Sequence, residues 1–151
     1  MSEAGVGAKP HVERGNPRRQ DTTPPLLRVG FRPFFLAGSM WAMIAVLLWL
    51  GMLAGLLDAP GGMDPVAWHQ HEMLFGFASA VIAGFILTAI PNWTGRLPVA
   101  GSALAALALL WLAGRVALLL GGLIGAPLAA VVDASFLFVL AGLIAREIVK
   151  G

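Results

Sequence analysis

The 151-residue sequence contains no cysteine. Disulfides, thiolate metal sites, iron–sulfur clusters and covalent haem attachment through Cys-x-x-Cys-His are therefore excluded. Any metal must be held by His, Met, carboxylate or backbone oxygen. Charge is also scarce: 12% of residues are charged and 58% hydrophobic, where an average soluble domain carries about 25% charged residues. With a mean hydropathy of +0.83, the composition points to lipid as the solvent. The opening segment Met1 to Thr23 is polar and has no apolar core before a small-residue cleavage site, so it does not read as a secretory signal. Arg18-Arg19 lacks the apolar stretch that a twin-arginine signal requires. No phosphate-binding glycine loop and no nucleophile elbow occurs, and the zinc-protease pattern His-Glu-x-x-His fails because position 75 is Phe75.

What is present is a series of four apolar stretches, at about 34–57, 70–90, 102–123 and 128–146, each near the ~20 residues that cross a hydrocarbon core of ~30 Å. Gly/Pro-rich breaks separate them: Asp58-Ala59-Pro60-Gly61-Gly62, then Pro91 to Pro98, then Gly125-Ala126-Pro127. Lipid cannot satisfy exposed backbone groups, and no alternating pattern supports a barrel, so the spans are helices. The expected fold is all-α: residues 1–33 a disordered tail, 34–151 an integral membrane bundle of four transmembrane helices. Asp64 is a good N-cap and Pro65 suits the first helical position, which extends the second helix to about 65–90.

Lys and Arg set the orientation. Lys9, Arg14, Arg18, Arg19, Arg28 and Arg32 precede the first span, Arg96 lies in the second loop, and Arg146 and Lys150 follow the last span. Loops one and three have none, so both termini are expected in the cytoplasm. This basic bias, behind a net charge of +2, reads as membrane topology and not as nucleic-acid binding. Trp41, Trp68, Trp93 and Trp111 fall within several residues of expected helix ends, where indoles anchor at the interface.

Chemistry concentrates in Trp68-His69-Gln70-His71-Glu72-Met73 at the mouth of the second helix. On a regular helix, His69, Glu72, Met73, Gly76, Ala80, Ala83 and Gly84 share one face, and His71, Phe75, Ala78, Ile82 and Phe85 the opposite one. The two histidines diverge by about 200° and cannot bind one ion together. Met73 lies one turn from His69, a thioether and imidazole pair suited to Cu(I) or haem iron, and Glu72 is placed to orient a ligand histidine. The plainer reading is of histidines that cap polar groups or face water. Arg115 and Asp133 fall inside the third and fourth spans, where each needs a partner. Counting from the outer helix ends puts them about 12 and 9 Å deep, which pairs them with each other. Such a pair either locks two helices together or lets Arg115 hold a haem propionate. A transporter reading of these buried charges finds no clear internal repeat or broken helix.

Phe31-Arg32-Pro33-Phe34-Phe35, Trp68 to Gly76, Ala83-Gly84-Phe85 through Pro91-Asn92-Trp93-Thr94-Gly95-Arg96, and Trp111-Leu112-Ala113-Gly114-Arg115 together resemble the start of the NnrS family, in order and spacing as well as in wording. The resemblance covers nearly the whole chain after residue 26. It implies a bacterial inner-membrane protein of the nitric oxide response, with non-covalent haem and copper, tied to denitrification and relief of nitrosative stress. Carried over, His69 and His71 are the ligand candidates, Met73 a third metal donor, and Glu72 and Arg115 their supports, with nitric oxide as the ligand. Family members resemble bundles of about a dozen helices, so this chain looks like an N-terminal third that further helices or a second membrane subunit would complete. The competing expectation is a non-catalytic membrane scaffold or fragment that completes a larger partner.

Overall fold

A computed structural model describes residues 23–150. The first 22 positions, most of the expected tail, lie outside it. Every regular element among the described residues is helical. Four helices are long and apolar enough to cross a membrane: α1 (Phe31–Leu53), α2 (Pro65–Thr94), α3 (Ser102–Leu119) and α4, which runs from Ala126 to Lys150 and spans over Ala126–Val149.

The boundaries differ from hydropathy where backbone chemistry decides. The segment expected to be structureless up to residue 33 already contains a short 3-10 turn, Pro25–Leu27, and the start of α1. The α1 helix ends at Leu53, although Leu56 and Leu57 continue the apolar run. Gly55 takes φ 70°, and its amide and that of Leu56 turn back to the carbonyls of Met52 (3.1 Å) and Gly51 (2.9 Å). This is a Schellman stop, which glycine makes at no steric cost. The α2 helix runs through Pro91 to Thr94 and stops at Gly95, with φ 68°. The α3 helix ends at Leu119, and one further turn, Gly121–Ile124, precedes Gly125 and α4. At the start of α2, Asp64 caps as expected: its Oδ1 accepts from the amides of Val66 (2.9 Å) and Ala67 (3.0 Å).

Packing follows the small residues. The α1 helix lies along α2, α3 lies along α4, and α2 also meets α4. Gly84 brings α1 close to α2: a Cβ there would stand 2.8 Å from the Phe35 ring and 3.2 Å from the Phe31 Cα. Gly114 does the same between α3 and α4, where a Cβ would stand 3.1 Å from the Asp133 Cα. Lipid-facing helices gain little from apolar burial against one another, so close backbone approach of this kind is what holds them. Phe34, Trp41, Trp68, Leu104, Trp111 and Phe136 fill the centre, while Leu47, Ile82, Phe85, Leu109 and Phe138 face outward. The buried Gly76, Ala80, Ala83 and Gly84 follow the small-residue face read from the sequence.

One feature of α2 departs from a regular helix. Residues Glu72–Ala78 form a π-helical stretch, with backbone bonding from i to i+5, a form that often marks functional positions. The bundle has two unlike ends. Loops one and three meet at one end, where Gly61 packs against Gly121 and Gly122. The segment before α1 meets the second loop at the other, where the Gly101 amide donates to the Leu27 carbonyl at 2.8 Å.

Candidate functional site

The π-helical stretch opens on Glu72, a carboxylate with 0% exposure in an apolar bundle. A buried carboxylate is tolerable only when hydrogen-bonded and paired, and three helices supply its partners. Glu72 Oε2 accepts from Trp41 Nε1 of α1 at 2.7 Å and from Arg115 Nη1 of α3 at 2.8 Å. The other terminal nitrogen of Arg115, Nη2, bonds Asp133 Oδ1 of α4. One guanidinium, 2% exposed, thus bridges two carboxylates from different helices, using the planar fork that lysine lacks.

Glycines make room for the bridge. A Cβ on Gly76 would stand 2.9 Å from both Arg115 Nη1 and the Trp41 ring, and one on Gly114 would stand 2.9 Å from Asp133 Oδ1. Trp111 Nε1 donates to the Gly76 carbonyl at 2.9 Å, fixing the π-helical stretch against α3. Ser79 Oγ donates back to the Phe75 carbonyl.

The histidines lie at the margin of this network and point to different helices. His71 Nε2 is 3.3 Å from Asp133 Oδ2, and its Nδ1 is 3.8 Å from Glu72 Oε1. Its ring also stacks on Phe75, with centroids 4.6 Å apart. His69 stacks on Trp49 of α1 at 4.3 Å and 11° between planes. The expected divergence of the two rings is therefore seen, but His71, placed by the helical wheel opposite Glu72, joins the same charged cluster. Met73 packs against the apolar core. His69 Nδ1, His71 Nδ1, Glu72 Oε1 and Arg115 Nε are buried with no protein hydrogen-bond partner.

A family model described as "NnrS protein" matches residues 25–151. The chain belongs to the NnrS family. No curated protein and no solved structure matches it.

In this NnrS chain the expected Arg115–Asp133 pair is present, but it is half of the arrangement: Glu72 is the second anion and Trp41 the second donor. Glu72 was read as a support for a ligand histidine and not as a partner of Arg115, although it shares the buried face of α2 with Gly76 and Ala80. Trp41 was not legible either, since three of the four tryptophans read as interfacial anchors are core residues. Trp41, Trp68 and Trp111 are 8%, 0% and 3% exposed, and only Trp93, at 69%, has the exposure of a belt residue. Hydropathy cannot separate an indole at a helix end from one whose N–H serves a buried acceptor.

The donor set sorts the cofactors that membership in the NnrS family raises. Among the described residues, no group of three or more His, Asp or Glu side chains is placed to hold a metal ion, so a copper ion taking three such ligands would need donors beyond those this chain brings together. A haem needs only one or two axial nitrogens, and His69 or His71, each with a buried unpartnered nitrogen, fits one such position. Arg115 is enclosed by two carboxylates and is not open to a propionate.

Proposed function

We propose that this chain is a haem- and copper-binding membrane protein of the nitric oxide response that limits nitrosative stress during denitrification, with the histidine end of the bundle as its working end. Family membership supports the class of function. The observation that carries the assignment to this end is the Glu72–Arg115–Asp133 bridge with two histidines at its margin. Ionised groups are costly inside lipid and recur there at functional sites.

Haem, when bound, supplies an iron centre for a diatomic ligand. His69, its ring stacked on Trp49, would hold the iron through a ring nitrogen. His71 is oriented by Asp133 and flanked by Glu72, as ligand imidazoles are oriented by carboxylates. Copper in this reading takes further donors from downstream helices or a second membrane subunit. The membrane is the bacterial inner membrane, with both termini in the cytoplasm, as the arginine distribution supports.

Detergent-solubilised protein is expected to show a Soret band that weakens in His69→Ala or His71→Ala. An unchanged band in both variants overturns the ligand assignment. The second reading, a non-catalytic scaffold that completes a larger partner, is favoured by the closed pairing of Arg115. It predicts no Soret band in this chain alone and no change in nitric oxide tolerance when both histidines are replaced.

A further inference from the structure

The His71 ring is held by three neighbours. It stacks on Phe75 with centroids 4.6 Å apart, its Nε2 stands 3.3 Å from Asp133 Oδ2, and its Nδ1 stands 3.8 Å from Glu72 Oε1. A neutral imidazole has one N–H and one lone pair, and the group beside one nitrogen decides which atom carries the proton. An ionised carboxylate can only accept, so the closer contact, at Asp133, favours the proton on Nε2. The separation at Glu72 is beyond hydrogen-bond reach, and Nδ1 is buried with no protein partner. The lone pair therefore falls to Nδ1.

The orientation of both carboxylates is set from α3. Arg115 Nη2 takes Asp133 Oδ1 and Arg115 Nη1 takes Glu72 Oε2, the oxygen that also accepts from Trp41. The oxygens left over, Asp133 Oδ2 and Glu72 Oε1, are the two nearest His71. A guanidinium is planar and carries only donors, so it can hold one oxygen of each carboxylate and leave the other turned to the ring. We infer that Asp133 and Arg115 act together as positioning residues that keep the His71 proton on Nε2 and leave Nδ1 as its open donor nitrogen. Under the haem and copper reading, on which the use of that nitrogen rests, Nδ1 is the atom that His71 offers to a metal.

The test uses the full chain in detergent, carrying isotope-labelled histidine and observed by nitrogen NMR at a pH above the ordinary histidine range. The sequence has three histidines, and the His71 signals are those lost in His71→Gln. In the unaltered protein the lone-pair signal is expected on Nδ1. Asp133→Asn is the decisive variant. Because Arg115 can only donate, the amide oxygen stays on Nη2 and the NH2 group faces the ring, so the proton should move to Nδ1 and the lone-pair signal to Nε2. Adding Arg115→Lys, which lacks the fork, frees the amide to turn and should give a mixture of the two forms. Glu72→Gln should leave the proton on Nε2, and the His69 signals, from a ring that faces Trp49, should not respond to Asp133→Asn. If Asp133→Asn loses its helical circular-dichroism signal, Asp133→Ala replaces it and should also give a mixture. A lone pair on Nε2 in the unaltered protein, protons on both nitrogens, unchanged His71 signals in the Asp133 variant, or no mixing when Arg115→Lys is added would each overturn the inference. None of these readouts needs a bound metal. A Soret band indifferent to His71→Ala would remove the ligand reading and leave the proton assignment standing.

Discussion

Each end of the bundle holds a cluster of three bridged ionised side chains, in opposite proportions and with arginines in opposite surroundings. At the histidine end one arginine bridges two carboxylates, with Arg115, Glu72 and Asp133 exposed by 2%, 0% and 6%. At the other end one carboxylate bridges two arginines, with Arg96 and Arg146 exposed by 39% and 56%. The bond lengths are alike, 2.8 Å for Arg115–Glu72 and 2.6 Å for Arg96–Glu147. Geometry alone would therefore rank the two clusters as equals. Solvation separates them: an exposed pair replaces water contacts of similar worth, whereas a buried partner that loses its counter-charge has no water to return to.

The sharpest way to break the comparison is Arg115→Met. It leaves Glu72 and Asp133 facing each other without a cation, and a loss of about 3–5 kcal/mol is expected, read as a fall in the thermal midpoint of detergent-solubilised protein. Gly114→Ala comes next. Its methyl group meets Asp133 Oδ1 at 2.9 Å and the Asp133 Cα at 3.1 Å, and such overpacking costs about 1–3 kcal/mol in the same measurement. Arg146→Gln should move the midpoint far less than either.

The smallest net change is expected where the most residues are altered. Replacing Glu72, Arg115 and Asp133 together by Leu, Met and Leu removes every charge of this bridge at once and should leave the midpoint near that of the unaltered protein or above it. If the triple variant folds well but cells carrying it become sensitive to nitric oxide, the cluster serves chemistry. If tolerance is also unchanged, the cluster is a helix lock.

How much of this was readable beforehand depended on which force set each feature. Span number followed from hydropathy, and Asp64, Pro65 and Gly84 were legible because caps and close approaches demand particular residue types. Arg115 and Asp133 were legible as a pair because lipid permits few alternatives. The early end of α1 was not, since the apolar run continues through Leu56 and Leu57 while a single positive-φ glycine overrules it. The role of Trp41 was hidden for a related reason. An indole at that position suits the interface and suits the core, and only the location of Glu72, 31 residues further on, decides between them. The face shared by His71 and Phe75 was legible and the two rings stack, but the reach of His71 to Asp133 Oδ2 on the fourth span depended on helix packing that the wheel does not contain.

The wide turn at Glu72–Ala78 resets the rotational phase of α2. Residues ahead of it and residues behind it are indexed to different neighbours: the Trp68–His71 segment aims at Trp49 and Asp133, while Ala80, Ala83 and Gly84 seat against α1. Removing one residue from the stretch would return α2 to uniform winding and swing its leading segment by about 100°. The imidazoles would then turn away from their present partners while the lipid-embedded half of the helix stayed in place.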